Sequence, residues 1–312
     1  MKLKRYQHNP IIKPIKKHPW ESKVTFNAAA ISVGNKVHIL YRARDKKMIS
    51  RIGYAASDDG FHITERLPKP ILEPELDIEA YGCEDPRITQ IGDKIYLSYN
   101  AYGKNPKQGK HKNLYYSHTG VQMVLTSISV KDFLNKKWNW SKRYYLLPGV
   151  DDKGAVIFPE KFNGKYLMYH RIPPHIWYAY SDDLIHWYDH NILMMPQRND
   201  WEFFKIGTGA TPIKTEKGWL IIYHAASRQL VYRLGFAFAD LKDPTKIIYR
   251  SPTPILEPEK EFETQGNVAN VVFSCGAVLL GDEVFVYYGG ADTVICVATA
   301  KLKDFYRAAR LL

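Results

Sequence analysis

The chain has 312 residues, of which 45% are hydrophobic and 24% are charged, a composition that excludes intrinsic disorder and allows a sizeable core. The formal net charge of +12 suits an anionic ligand. Because the Lys and Arg residues are spread along the chain without the signature of a nucleic-acid-binding module, we expect no nucleic-acid partner.

The cysteines and the apolar runs indicate the compartment. Cys83, Cys275 and Cys296 are odd in number and have no CxxC spacing, which argues against a disulfide framework and against a zinc site. The first residues have no apolar segment after their charges, so no secretory signal is visible. No apolar run approaches the roughly 20 residues that a membrane helix needs. We therefore expect a cytoplasmic protein with no membrane partner, no metal and no other cofactor.

One unit recurs along the chain: an apolar strand, a tight turn with Gly, Asn or Asp, and a second strand that ends in aromatic residues. Turns of this composition allow the positive φ of short hairpin loops, and the β-branched and aromatic runs on both sides favour strands. The paired strands are predicted at 27–33 and 37–42, 85–91 and 95–99, 155–160 and 166–170, 209–213 and 219–224, and 275–280 and 283–288. A third strand follows each pair, at 52–56, 122–126, 176–180, 234–238 and 294–298.

Five such units, spaced by roughly 55 to 70 residues, predict an all-β fold with five blades, a five-bladed β-propeller. The sequence Pro-Ile-Leu-Glu-Pro-Glu occurs at 70–75 and again at 254–259, which supports the repeat. A β-sandwich is the alternative, but it does not explain five copies of one hairpin. Because no linker divides the chain, we expect a single domain over residues 1–312. The N-terminal segment is expected to extend a blade or cover an edge, and 302–312 to form a short helix.

The segment Gly82-Cys-Glu-Asp-Pro-Arg87 precedes a strong strand pattern and contains the candidate catalytic acid, Asp85. Pro86 fixes its own φ and is expected to push Asp85 towards extended geometry, so that the carboxylate is held on a stiff corner. Arg87 is close enough to share this environment and is a candidate for binding substrate. The alternative is a turn with a structural Asp–Arg pair, because perturbed carboxylates also occur in purely structural networks.

The ends of the predicted hairpins are charged or carry an imidazole in every unit, and in a propeller these ends face a central channel. The residues concerned are Asn27 and Arg42, Asp85 and Arg87, Lys153 and Arg171, Lys205 and His224, and Asp292. Lys153, Arg171, Lys205 and His224 come from two neighbouring units, and such a cluster of cations suits a phosphate or a carboxylate.

One carboxylic acid that faces an anion site indicates glycosyl transfer to phosphate. The chemistry resembles that of an inverting glycosidase, in which an acid protonates the leaving oxygen while a nucleophile attacks the opposite face of the sugar. A phosphate dianion is already nucleophilic, so it needs cations to orient it rather than a general base.

Segments over nearly the whole chain also carry a family resemblance. They are Phe26-Asn-Ala-Ala-Ala30, Leu40-Tyr-Arg42, Gly82-Cys-Glu-Asp-Pro-Arg87, Phe158-Pro-Glu-Lys161, Gly164-Lys-Tyr166, His170-Arg171, Lys205-Ile-Gly-Thr-Gly209, Tyr223-His224, Asn270-Val-Val-Phe-Ser-Cys-Gly276 and Gly289-Gly-Ala-Asp-Thr293. In these segments the chain resembles glycoside hydrolase family 130, the β-mannoside phosphorylases.

The resemblance implies a five-bladed propeller and an inverting phosphorolysis that gives α-mannose 1-phosphate and a shortened acceptor. It implies that Asp85 is the general acid and passes its proton through a sugar hydroxyl. It further implies two sets of binding residues. Phosphate would be bound by Lys153, Arg171, Lys205 and His224, and the mannosyl unit by Asn27, Arg42 and Asp292. No metal is implied, and inorganic phosphate is the co-substrate.

Several alternatives stay open at this level. The linkage, β-1,2 or β-1,4, and the acceptor depend on loops such as Gly103 to Gly120, and Lys153 departs from branches of the family that carry Arg there. A β-mannoside hydrolase on the same fold is an alternative, although such members lack the cationic pocket. A furanosidase would need three carboxylates. A non-catalytic glycan-binding propeller is the alternative from another class, and a homo-oligomer is compatible with the sequence.

Overall fold

The structure is a computed structural model that describes residues 1–103, 120–198 and 200–312. Strands form most of its regular structure and the helices are short, which confirms the predicted all-β class. The loop Gly103 to Gly120, to which the sequence assigns acceptor choice, lies outside the described residues except for its two end glycines.

The strands pair antiparallel in five groups that follow one another along the chain. The first strand, β1 (Lys4–Arg5), belongs to the last group. Group 1 contains β2 (Val24–Val33), β3 (Lys36–Arg44), β4 (Ser50–Ser57) and β5 (Ile63–Arg66), and group 2 contains β6 (Gly82–Ile91), β7 (Lys94–Tyr102), β8 (Val121–Ser129) and β9 (Tyr144–Tyr145). Group 3 contains β10 (Lys153–Ile157), β11 (Tyr166–Ile172), β12 (His175–Ser181) and β13 (Tyr188–Met194).

Group 4 contains β14 (Lys205–Thr208), β15 (Ile213–Thr215), β16 (Gly218–Ala226), β17 (Tyr232–Ala239) and β18 (Ile247–Arg250), and group 5 contains β19 (Val272–Leu280), β20 (Glu283–Gly290), β21 (Val294–Lys301) and β1. The parallel pair of Ser50 and Gly82 links groups 1 and 2 into one sheet of eight strands. The helices are α1 (Val130–Leu134), α2 (Glu261–Thr264) and α3 (Leu302–Ala309), and α3 lies within the predicted C-terminal helix. None of the helices in the described ranges is long and apolar enough to cross a membrane.

The predicted hairpin turns are confirmed where two residues connect the first and second strands of groups 1, 2 and 5. Gly34, Gly92 and Gly281 occupy these turns with φ of 61°, 60° and 59°, in the left-handed region that glycine adopts without strain. The predicted edge role of the N-terminal segment is confirmed as well, because Lys4 and Arg5 of β1 pair with β21.

Two predicted first strands are wrong in detail. The strand predicted at 209–213 is interrupted: β14 ends at Thr208 and β15 begins at Ile213, and both pair with β16. The strand predicted at 155–160 ends at Ile157. A proline lies at each place: Pro212 immediately precedes β15, and Pro159 lies two residues after the end of β10. A proline cannot donate the backbone hydrogen bond that would continue the ladder.

The hydrophobic core consists of five clusters among the described residues, and each lies between two successive groups. Representative residues of the clusters are Leu40 with Leu97 for groups 1 and 2, Leu125 with Met168 for groups 2 and 3, Tyr169 with Trp219 for groups 3 and 4, and Ile222 with Val286 for groups 4 and 5. The fifth cluster packs Ile39 of group 1 against Tyr287 of group 5. The last group therefore packs against the first.

A buried acid organises groups 1, 2, 4 and 5 in the same way. The acid lies on the segment that enters the first strand of its group. Its carboxylate accepts a hydrogen bond from the hydroxyl of a tyrosine on the strand paired with that first strand. It also forms an ion pair with an arginine on or beside the outermost strand. The sets are Glu21, Tyr41 and Arg66; Glu79, Tyr99 and Arg143; Glu202, Tyr223 and Arg250; and Glu263, Tyr288 and Arg5. All four glutamates are fully buried. Each set holds three segments of its group together.

We expect Glu263→Gln to lower the free energy of unfolding by about 3 kcal/mol, because it leaves Arg5 without a buried carboxylate partner. Glu160→Gln is the matched control, since the Glu160–Lys214 pair is exposed and should be worth less than about 1 kcal/mol. Denaturant midpoints of both variants test this. An equal loss in the two variants would contradict a special contribution from the buried acid.

Candidate active site

The side chains of the site come from irregularities in the first strands. The pairing of β2 with β3 shifts register around Asn27, and that of β6 with β7 shifts around Asp85. The pairing of β10 with β11 shifts at Gly154. These three residues have φ of 50°, 47° and 73°. A β-bulge of this kind bends its strand and redirects a side chain, which is why bulges often lie next to active sites.

The expected extended geometry of Asp85 is therefore wrong. Its φ of 47° lies in the left-handed region, and it belongs to β6 rather than to a corner before the strand. Aspartate tolerates this region better than most residues. Pro86 fits directly after the bulge, because it has no N–H to give to the interrupted ladder. The requirement of the bulge outweighs the preference for extended geometry before proline.

All nine predicted site residues line one cavity with a volume of about 240 Å³. They are Asn27, Arg42, Asp85, Arg87, Lys153, Arg171, Lys205, His224 and Asp292. They come from all five strand groups. The cavity therefore lies where the first two strands of the groups meet.

Three donors surround the Asp85 carboxylate. Oδ1 accepts hydrogen bonds from Asn27 Nδ2 at 2.8 Å and from the Arg42 guanidinium at 2.9 Å, and Oδ2 accepts one from Asn100 Nδ2 at 3.2 Å. Burial alone would raise the pKa of Asp85, but Arg42, Asn27, Arg87 and Lys153 together hold it well below its usual range. Asp85 is therefore ionised in the free protein.

Lys153, Arg171 and Lys205 are half-buried cations on one side of the cavity. No carboxylate of the described residues lies within salt-bridge distance of any of them, and Arg171 Nε has no hydrogen-bond partner there. Burial and the neighbouring Arg171 lower the pKa of Lys205 to about 8 and lower that of Lys153. Burial also lowers the pKa of Arg171. These three residues form what we call the cation wall.

His224 is a neutral neighbour of the cation wall in the same cavity. It is 2% exposed, and neither ring nitrogen has a hydrogen-bond partner among the described residues. Burial, followed by the charges of Arg171, Arg87 and Lys205, lowers its pKa well below the ordinary value. His224 is therefore neutral, with one nitrogen able to donate and one able to accept. Its ring packs on Phe273 with 4.2 Å between centroids, which fixes its orientation.

Arg87 lines the same cavity but is engaged by the protein itself. Its guanidinium donates to the carbonyl oxygens of Gly209 at 3.0 Å, Thr208 at 2.9 Å and Asp85 at 3.0 Å. Gly209 lies in the interruption between β14 and β15, and Thr208 is the last residue of β14. Arg87 thus ties group 2 to group 4 at the point where the first strand of group 4 is interrupted.

Asp292 is the second carboxyl group of the cavity and has a φ of 49°. Burial raises its pKa to about 6, and the negative charges of Asp85 and Glu84 act in the same direction, whereas Arg42 and Arg44 act against them. The two carboxyl groups of the cavity therefore have pKa values that differ in opposite directions from the ordinary value. Such pairs are typical of catalytic sites.

Sequence reasoning missed several residues that line the cavity, notably Asn100, Tyr232 and Phe273. Asn100 follows Tyr99 as Arg42 follows Tyr41 and His224 follows Tyr223, so an alignment of the repeats contains the signal for it. Tyr232 lies at the start of a third strand, and its ring centroid is 5.4 Å from Lys205 Nζ. Nothing in its local sequence distinguishes it from other strand tyrosines.

Comparisons with known proteins place this chain in one family. A family model described as beta-1,4-mannooligosaccharide phosphorylase, of glycoside hydrolase family 130, matches residues 2–308. A 1,2-beta-oligomannan phosphorylase of Thermoanaerobacter sp. (strain X514) is 43% identical, over 97% of this chain and 99% of its own. A beta-1,2-mannobiose phosphorylase of the same strain is 44% identical, over 95% of this chain and 96% of its own.

A solved structure with a similar fold belongs to a protein named for the same class of activity. The beta-1,2-mannobiose phosphorylase of Listeria innocua, in complex with beta-1,2-mannobiose, matches with a TM-score of 0.83 at 29% identity, and the match covers 100% of both chains. The chain belongs to glycoside hydrolase family 130. The predicted family is thereby confirmed, and with it the prediction that the protein is an enzyme, a β-mannoside phosphorylase.

We expect inorganic phosphate alone to raise the thermal midpoint, because an anion that binds the cation wall stabilises the folded state. This gain should shrink as the pH rises through about 8, where Lys205 loses its charge. Lys205→Met should reduce the gain and flatten its pH dependence. Lys217→Met, at an exposed position on a turn of the same group, is the control. A gain that is equal in both variants would show that phosphate acts elsewhere.

Proposed function

We propose that this enzyme is an inverting β-1,2-mannoside phosphorylase. It cleaves the terminal β-mannosyl linkage of a manno-oligosaccharide or mannobiose with inorganic phosphate and gives α-mannose 1-phosphate and a shortened acceptor, in a reversible reaction. The family model carries a β-1,4 description, but both relatives that are more than 40% identical are named for β-1,2 substrates. We give the two relatives more weight because each matches at least 95% of this chain.

The cation wall is the observation that carries the phosphate part of the proposal. Lys153, Arg171 and Lys205 repel one another and have no carboxylate partner in the described ranges, and His224 offers an unpartnered N–H. Leaving charged and polar groups buried and unpaired costs free energy unless a ligand satisfies them. A phosphate dianion matches this arrangement in charge and in the number of hydrogen bonds it accepts. A hydrolase would need a carboxylate base in the same place.

The reaction requires one proton and no general base. A phosphate oxygen forms the new bond to the anomeric carbon, while the bond from that carbon to the glycosidic oxygen breaks on the opposite face. Asp85 supplies the proton that the leaving oxygen takes up, through a sugar hydroxyl as the family resemblance implies. The cations hold the nucleophile and stabilise charge in the transition state.

Asp85 must be protonated for this step, although it is ionised in the free protein. Phosphate bound at the cation wall places negative charge in the same cavity and offsets the cations that lower the pKa of Asp85. Binding of phosphate therefore moves Asp85 towards its acidic form. The acid becomes competent when the nucleophile is in place.

Asn27, Arg42 and Asp292 are proposed to hold the mannosyl unit. Asn27 donates to Asp85 through Nδ2, and its Oδ1 has no partner among the described residues. Arg42 bridges Glu84 and Asp85 and is thereby fixed against the site. An ionised Asp292 accepts hydrogen bonds from sugar hydroxyls. Arg87 supports the site through its bonds to Thr208 and Gly209.

We also propose that residues 1–312 form one domain, a five-bladed propeller in which each strand group is a blade. Five repeated groups and the packing of group 5 against group 1 support a closed ring. The site lies where all five groups contribute. The partners are a small carbohydrate and phosphate, with no cofactor, no nucleic acid and no membrane, in the cytoplasm. A homo-oligomer is compatible with this arrangement.

The experiment that tests the function measures mannose 1-phosphate and free mannose from β-1,2- and β-1,4-mannobiose, with and without inorganic phosphate. We expect mannose 1-phosphate from the β-1,2 substrate only when phosphate is present. Asp85→Asn should lower kcat by about 10² to 10⁴-fold, because it removes the general acid. Free mannose released at the same rate without phosphate would make the protein a hydrolase. A faster reaction with the β-1,4 substrate would overturn the linkage.

Asp292 gives a prediction for the pH profile. Because its pKa is about 6 in the free protein, its carboxylate is ionised above this pH and protonated below it. We expect kcat/KM for the mannoside to fall below about pH 6, since this ratio reports groups of the free enzyme. Asp292→Asn should lower kcat/KM above about pH 6, where the wild-type carboxylate is ionised, and remove this acidic limb. If the acidic limb near pH 6 persists unchanged in the variant, the limb belongs to a group other than Asp292.

A further inference from the structure

Group 3 departs from the arrangement of buried acid, tyrosine and arginine that groups 1, 2, 4 and 5 share. Its second-strand tyrosine, Tyr169, donates its hydroxyl to the carbonyl oxygen of Pro244 instead of to a glutamate. The buried acid on the segment that enters this group is Asp152, and it bonds the next residue along β11, His170. The departure occurs in the group that supplies two residues of the cation wall, Lys153 and Arg171.

The Asp152–His170 pair is closely spaced and fully buried. Asp152 and His170 are both 0% exposed, and Asp152 Oδ2 lies 2.6 Å from His170 Nδ1. Because a carboxylate only accepts, the Nδ1 of His170 carries the proton and donates it. Asp152 Oδ1 accepts the backbone N–H of Arg171 at 3.0 Å. On the other side of the ring, His170 Nε2 lies 3.2 Å from Nδ1 of His190, which is on the outermost strand β13.

These contacts fix the backbone on both sides of the cation wall. Asp152 immediately precedes Lys153, and His170 immediately precedes Arg171. Lys153 and Arg171 are partners across β10 and β11, next to the bulge at Gly154. A bulge interrupts the ladder, so the Asp152–His170 bond and the Asp152–Arg171 bond replace part of the pairing that is lost there. The two cations are thereby held at a fixed separation.

Asp152 also acts on the neighbouring cations through its charge, but its carboxylate forms no ion pair with Lys153 or with the Arg171 guanidinium. Both of its oxygens are used, one by the His170 ring and one by the Arg171 backbone, so the Arg171 guanidinium is left for a ligand. Its negative charge favours the charged form of Arg171 against the effect of burial on the pKa. In the other groups the buried acid instead pairs directly with an arginine.

We infer that Asp152 and His170, backed by His190, are positioning residues that set the spacing and charge of the Lys153–Arg171 half of the phosphate site. None of the three lines the cavity, so they act through the residues that follow them. This inference rests on the proposed phosphorolysis and adds to it. It assigns the departure in group 3 to phosphate binding rather than to folding alone.

The test uses steady-state kinetics with phosphate and β-1,2-mannobiose varied in turn. His170→Leu and Asp152→Asn should raise the KM for phosphate by about tenfold or more, since small misplacements of binding groups are costly, and should leave the KM for mannobiose within about twofold. His170→Asn offers an amide N–H near the position of Nδ1 and should recover most of the phosphate affinity. Tyr288→Phe is the matched control, because it removes the corresponding buried hydrogen bond from group 5.

A second measurement keeps the inference testable if the His170→Leu or Asp152→Asn protein is too unstable for kinetics. His190→Gln changes the half-buried outer member, and titration with inorganic phosphate should still show affinity weakened by at least about threefold relative to Tyr288→Phe. Equal losses in the KM for phosphate and for mannobiose, or no rescue by His170→Asn, would overturn the positioning role. Wild-type protein that makes no mannose 1-phosphate would instead refute the proposed function, whatever the variants do.

Discussion

The structure depends on keeping several positive charges together in one enclosed cavity. Lys153, Arg171 and Lys205 have no carboxylate in salt-bridge distance among the described residues. Burial lowers the pKa of all three, and the charge of Arg171 lowers those of the two lysines further. Such an arrangement opposes folding, because desolvation and mutual repulsion both act against it. It can persist only if the surrounding sheets are rigid enough to resist relaxation. Under the proposed function, a bound phosphate dianion would offset this repulsion.

The rigidity comes from a repeated use of buried charge outside the cavity. In groups 1, 2, 4 and 5 a fully buried glutamate joins the entering segment, the second strand and the outermost strand. Each of these acids is neutralised locally by an arginine, so the carboxylates of the scaffold are not available to the cavity. Charge is thus paired in the scaffold and left unpaired at the centre. Group 3 combines the two roles, because its buried acid lies next to the residues of the cation wall.

Much of this architecture is readable from the sequence, and the part that is not has a physical reason. The hairpins repeat a local pattern, so their turns and the residues at their ends, such as Arg42 and His224, follow from it. The left-handed φ of Asp85 does not follow, because the bulge is fixed by the pairing of β6 with β7 and not by Pro86. The set of Arg5, Glu263 and Tyr288 is equally hidden, since Arg5 and Glu263 are 258 residues apart in the chain.

The charges that line the cavity act on both of its carboxyl groups, Asp85 and Asp292. The donors around Asp85 and the cations beside it favour its carboxylate, which cannot protonate a leaving group. Asp292 lies in the same cavity, but burial raises its pKa to about 6, so it is the first of these two carboxyl groups to take up a proton as the pH falls. A phosphate dianion bound at the cation wall, as proposed above, would raise the pKa of both carboxyl groups. In the proposed reaction the nucleophile and the acid are therefore coupled, because the charge of the bound phosphate acts on the proton affinity of Asp85.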